Sequence, residues 1–99
     1  MSGLANRARG DAILHVEGAP RRLRLTLGAL AELETAFQAH SLEALEARLA
    51  RPSAADLLVI LQALLAGAGE PAIDLRAAAL DPADAARAVA EAFHAAGGS

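Results

Sequence analysis

The segment from Ser53 to Leu65 constrains this chain more than any other. After Ser53-Ala54-Ala55-Asp56 come Leu57, Leu58, Val59, Ile60, Leu61, Leu64 and Leu65, with only Gln62 and Ala63 between them. At helical spacing these side chains surround the axis and do not mark one face. A helix that is apolar all round belongs at the centre of a domain or at a contact between subunits. Ser53 and Asp56 suit a capping box at its start, with Asp in place of the usual Glu or Gln. Gly67 is read as the left-handed residue that ends it. The longest run without a charge, Leu57–Gly69, has 13 residues, too few to span a bilayer as a helix.

The rest of the chain has to supply the layers around that helix. With 99 residues it forms one domain. Of the 55% hydrophobic residues, 28 are Ala and 17 are Leu. Alanine buries little area, so the larger side chains suffice for one modest core and leave little for a deep catalytic cavity. There is no cysteine, which excludes disulfides and thiolate metal sites. The opening, Met1-Ser2-Gly3-Leu4-Ala5-Asn6-Arg7, has no hydrophobic signal region, and the expected location is the cytoplasm of the producing cell.

Residues 1–10 read as a flexible lead-in, 11–96 as the domain and 97–99 as a frayed end. Within the domain, residues 11–26 alternate: Leu14 and Val16 fall on one face, with Ile13, His15 and Glu17 on the other. Leu23 and Leu25 then alternate with Arg22, Arg24 and Thr26. Two alternating runs around Gly18-Ala19-Pro20 predict a β-hairpin, whose apolar face must rest on helices or pair with another chain.

Residues 27–96 read as helices. Thr26 caps the first, whose stripe is Leu27, Leu30, Leu33 and Phe37 and whose end carries His40. Gly28 in its first turn costs helix stability unless close packing requires it. Ser41 caps a second helix with the stripe Leu42, Leu45 and Leu49, stopped by Pro52. A short helix is expected over Asp74–Leu80. Asp81-Pro82-Ala83-Asp84 starts the last helix, with Asp as cap and Pro at the first position. Its apolar contacts are expected from Val89 and Phe93, with Ala86 and Ala90 between. The fold class is therefore α+β, mainly α: an N-terminal β-hairpin followed by a bundle of four to five short helices.

No catalytic constellation emerges, and no cofactor or metal is expected. His15, His40 and His94 are far apart and none sits in a metal-ligand motif. Glu43 and Glu46 can be neighbours on a helix, as solvated charge. Gly67-Ala68-Gly69-Glu70 follows a helix, whereas a phosphate-binding loop precedes one. Residues 1–26 carry five Arg (Arg7, Arg9, Arg21, Arg22, Arg24) against Asp11 and Glu17, while the remaining residues carry four Arg against ten acids. An Arg-rich hairpin can serve a small regulatory nucleic-acid-binding protein through phosphate contacts. The missing aromatics and the acidic body argue against that, and a basic edge that discourages strand pairing explains the same residues.

Asn6-Arg7-Ala8-Arg9-Gly10-Asp11, the hairpin and Leu25-Thr26-Leu27-Gly28-Ala29-Leu30-Ala31-Glu32-Leu33-Glu34 resemble the gene transfer agent tail-protein family, which is related to phage tail assembly chaperones. Phe37, the Ser41-Leu42 helix start and Asp56-Leu57-Leu58-Val59-Ile60-Leu61 extend the resemblance, which covers roughly residues 6–95. Ala8 is inserted in the opening, and Ala68 interrupts the glycine-rich stretch expected after the central helix.

The resemblance implies a non-enzymatic role in building the tail of a phage-like particle. A tail assembly chaperone coats the tape-measure protein before tail-tube subunits polymerise around it. The family has also been labelled as tail-tube protein, so a component retained in the particle is the alternative. Implied partners are the tape-measure protein, the tail-tube protein or both, and further copies of the chain, with no membrane. The expected contact surface is the hairpin-to-helix junction: Leu25, Leu27, Leu30 and Leu33, with Arg22 and Arg24. The same leucines would equally serve as the domain's own core.

Overall fold

A computed structural model describes residues 11–97. Strands β1 (Asp11–Val16) and β2 (Ala19–Arg24) form an antiparallel hairpin. Four helices follow: α1 (Leu27–Phe37), α2 (Leu42–Ala50), α3 (Ala54–Gly67) and α4 (Pro82–Gly97). The class is the one expected. The lead-in over residues 1–10 and residues 98 and 99 lie outside the described residues, while Gly97, expected to fray, belongs to α4.

The hairpin turns one residue earlier than its composition suggested. Val16 pairs with Ala19, so the loop is Glu17-Gly18, and both have positive φ (53° and 80°). That is the two-residue turn whose twist matches the strands. Glu17 hides it, because Asn or Asp is the usual residue there. Pro20 is consequently not a turn residue but sits in β2 opposite His15. Ala12, Leu14 and Val16 of β1 and Leu23 of β2 are buried. This apolar face rests on helices, with α3 packed against β2 and α4 against β1.

Helix α3 is central, as an all-round apolar helix must be. It packs on β2, α1 and α4. Ile60, Leu61, Leu64 and Leu65 are buried, whereas Leu57 and Leu58 are half-buried and Val59 is exposed. The capping box is complete: the Asp56 N–H donates to Ser53 Oγ, and the Ser53 N–H donates to Asp56 Oδ2, each at 3.1 Å. The end of α3 differs from the expectation. Gly67 remains helical, and Gly69 (φ 79°) takes the left-handed position. The Gly69 and Glu70 amides donate to the Ala66 and Leu65 carbonyls, both at 3.0 Å. These are the two bonds of a Schellman cap.

Thr26 caps α1 by accepting the Ala29 N–H at 3.0 Å. The buried face is Ala29, Leu33 and Phe37, and Leu27 is 85% exposed. The stripe expected from Leu27 fails because six residues at about 100° each put Leu27 roughly 120° from Leu33. The helix also stops at Phe37, short of His40, with Gln38 in the left-handed position (φ 52°). In α2 only Leu45 is fully buried, and Leu42 is exposed. Arg48 ties three helices together: it donates to the Phe37 carbonyl, lies 4.7 Å from the Phe37 ring centroid and reaches Asp56.

The short helix expected over Asp74–Leu80 is a turn, with one bond from the Ala77 amide to the Asp74 carbonyl. The segment is instead pinned from outside. Glu17 and Ala79 exchange bonds through the Glu17 amide and carboxylate, and Gln62 Nε2 donates to the Ile73 carbonyl. Helix α4 starts as expected, with Asp81 Oδ1 accepting the Ala83 N–H. Its inward face is Ala85, Ala88, Val89 and Ala92, while Ala86 and Ala90 face solvent. Alanines on the inner face let α4 approach β1 closely.

Candidate functional site: the hairpin-to-helix junction

The chain runs from β2 into α1 through Leu25 and Thr26, and α3 crosses beneath this junction at Gly67. A Cβ on Gly67 would lie 2.3 Å from the Arg24 carbonyl oxygen and 3.3 Å from Thr26 Oγ1. The glycine therefore sets how closely α3 packs under the junction. Thr26 starts α1 there, which sends Leu33 (0% exposed) into the core and leaves Leu27 outside. Leu25 and Leu30 are half-buried and packed on the core. The expected contact leucines thus divide: Leu33 is core, Leu25 and Leu30 lie at the boundary, and Leu27 faces solvent.

The two arginines expected at this surface are engaged within the fold. Arg24 forms a fork with Asp11, its cross-strand partner: Nε donates to Oδ1 at 2.5 Å and Nη2 to Oδ2 at 3.0 Å. The adjacent Asp11 carboxylate raises the Arg24 guanidinium above its ordinary pKa. Arg22 donates from its backbone N–H (3.0 Å) and Nε (3.3 Å) to Glu70 Oε2, and from Nη2 to the Ala68 carbonyl. Arg21 approaches the other Glu70 oxygen at 3.7 Å. The positive charge of β2 is largely neutralised inside the molecule, leaving little for a phosphate backbone. Arg7 and Arg9 lie outside the described residues.

Glu70 also closes the outer edge of β2, while Asp84 and Arg87 cover β1. The His15 N–H donates to Asp84 Oδ2 and Arg87 Nη2 to the Ile13 carbonyl. The hydrogen bond from Arg87 is the main reason the Asp84 carboxyl is held below the usual range. Both edges of the hairpin thus carry side-chain partners, which blocks strand addition.

The backbone N–H of Arg22 is the main cause that lowers the Glu70 carboxyl from its ordinary value of 4.5. A lowered carboxyl contributes stability that is full above the ordinary value and is lost as pH falls through the lower folded-state value. Glu70 has only 13% of its side chain exposed, so Glu70→Gln is expected to cost about 1–2 kcal/mol at neutral pH. Thermal melts from about pH 7 down to about pH 3 should show the variant losing stability less steeply below about pH 4.5. Parallel curves would contradict this role.

Little in the described residues suits catalysis. His15 Nδ1 lies 3.5 Å from Asp84 Oδ2 beside an open depression lined by Glu17 and Asp81. No group of three or more His, Asp or Glu able to hold a metal ion occurs among the described residues. No helix among them is long and apolar enough to cross a membrane.

Comparison with known proteins decides the family. Residues 9–98 match the family model described as phage tail tube protein, GTA-gp10. The chain belongs to this family. The match spans the hairpin and all four helices, so membership of the GTA-gp10 family rests on the whole fold and not on the junction motif alone. It is a family of phage tail proteins, related to tail assembly chaperones. No curated protein and no solved structure matched the chain.

Sequence reasoning missed Glu70, which entered it only as the residue that follows Gly67-Ala68-Gly69. Its partner Arg22 is 48 positions away, and no local pattern links them. The Asp11–Arg24 pair had a signal, since the register of a two-residue turn sets them opposite each other.

Proposed function

We propose that this member of the GTA-gp10 family is a tail assembly chaperone that binds the tape-measure protein through the junction around Leu27. The exposure of Leu27 carries this reading. Leu27 is 85% exposed, and with the half-buried Leu25 and Leu30 it offers apolar surface for a partner to cover. Gly28 supports the same surface. A Cβ there would meet only Thr26 Oγ1, at 3.7 Å, so the fold itself does not require the glycine, and a partner's close approach gives it a reason. Leu25 and Leu30 border the contact, Leu33 holds its shape from beneath, and Arg22 and Arg24 brace the adjoining strand through Glu70 and Asp11.

Leu27→Glu tests the surface. The side chain is exposed, so the melting temperature should stay within about 2 °C of wild type. Co-elution with the tape-measure protein in size-exclusion chromatography should weaken about tenfold or more. Unchanged binding would remove the junction from the interface. Gly28→Ala should separate stability from binding: the fold gains about 0.5–1 kcal/mol, while the partner is held less tightly. A variant that melts lower would show that the fold does need the glycine.

A second reading has its own support. The family description reads tail tube protein, which favours a component that stays in the particle. Mass spectrometry of purified particles distinguishes the two. Many copies per particle favour the structural component, and absence favours the chaperone.

A further inference from the structure

Two apolar depressions meet at Leu57 on the side of α3 that the other described residues leave incompletely covered. One, of about 450 Å³, lies between α2 and α4 and is walled by Leu49, Val89 and Phe93, with Glu46 at its rim. The other, of about 350 Å³, lies against the 71–80 segment and is walled by Leu58 and Leu80, with Arg76 at its rim. Ala86 and Ala90 keep the α4 side low and accessible. Because both linings include Leu57, the two form one trough, with an acidic group in its first part and a basic group in its second. Neither Glu46 nor Arg76 has an ion-pair partner among the described residues, whereas Arg22, Arg24, Arg48 and Arg87 all do.

We infer that this trough binds an amphipathic α-helix of the tail partner, with a cationic side chain facing Glu46 and an anionic one facing Arg76. The inference rests on the chaperone reading above. A helix is the form that fits, because its backbone bonds are internal and the trough is walled mainly by side chains of α2, α3 and α4. A strand would need a free sheet edge, and both hairpin edges are closed. Glu46 in one part and Arg76 in the other favour one direction of the helix over its reverse. Charge of this kind selects orientation and partner more than it adds affinity.

Synthetic peptides of about 25 residues, tiled across the tape-measure protein encoded with this chain, provide the probe, titrated against the full chain by calorimetry. At least one peptide should bind wild type, and it should carry an apolar stripe with opposite charges at its ends. Ala90→Glu places a charge in the trough from an exposed position and should weaken that peptide about tenfold or more. Glu46→Lys should weaken it several-fold, and Lys→Glu or Arg→Glu at the facing end of the peptide should restore binding. If Leu27→Glu abolishes binding while Ala90→Glu leaves it within about twofold, the trough inference falls and the chaperone reading stands. If no peptide and no intact tape-measure protein binds wild type, both fall. Self-association of the chain that Ala90→Glu abolishes would assign the trough to a second copy and overturn the inference.

Discussion

Arg24→Ala is expected to lower the stability of this domain by about 3 kcal/mol, roughly 12–20 °C in melting temperature for a chain of this size. The cause lies in its partner. The Asp11 side chain is 0% exposed, whereas that of Arg24 is 32% exposed. Removing the arginine strands a carboxylate that water does not reach. Removing the acid leaves a guanidinium that still touches solvent, so Asp11→Asn should cost clearly less, about 1–2 kcal/mol. Replacing both, as Asp11→Leu with Arg24→Met, should recover much of the loss, because a buried ion pair and an apolar pair of similar volume are often close in stability. Far-UV circular dichroism is the suitable probe, since the chain has no Trp or Tyr. Equal and small losses for the two single variants would show that the pair does not hold the base of the hairpin.

Gly67→Ala is expected to cost about 2–3 kcal/mol, although helix propensity alone favours alanine by up to about 1 kcal/mol. The sign is therefore informative. The added Cβ would meet the Arg24 carbonyl oxygen at 2.3 Å. That atom belongs to the backbone where β2 turns toward α1 and cannot swing aside as a side chain would. Helix α3 has to move off the hairpin, loosening its packing on β2 and the capping geometry of Thr26. The same substitution at Gly28 has the opposite expected sign, so the pair separates packing from propensity in one experiment. A Gly67→Ala variant as stable as wild type would mean that α3 is not seated against the junction as described.

Much of this architecture was legible in residue order. The all-round apolar pattern of Leu57–Leu65 identified the central helix, the Ser53 and Asp56 pairing its start, and Asp81-Pro82 the start of α4. What stayed hidden depends on contacts distant in sequence. Placing the hairpin turn at Gly18-Ala19-Pro20 puts Asp11 out of register with Arg24, and the positive φ of Glu17 gives no compositional signal. Leu27 looked like core because leucines recur at plausible spacing, and only the angle to Leu33 reveals that it points away. The role of Gly67 was misread because a helix-ending glycine and a close-packing glycine look alike until the neighbouring backbone is known. In α4, alanine lies on both the buried and exposed faces, so composition could not say which side faced the hairpin.

The candidate surface was less legible than the fold. The junction motif points to the segment proposed as the contact, where Arg22 and Arg24 are engaged in ion pairs within the fold and Leu33 is sealed in the core. The trough around Leu57 left only one sequence trace, a helix with more apolar faces than a small domain can cover.

The role in tail assembly is tested most directly by the solubility of the tape-measure protein. It should be produced alone and together with this chain at matched expression levels, and the soluble fraction quantified by gel densitometry. The account predicts that the tape-measure protein moves from the pellet into the supernatant when this chain is present and purifies bound to it. An identical soluble fraction in both cases, with no bound complex, would contradict it.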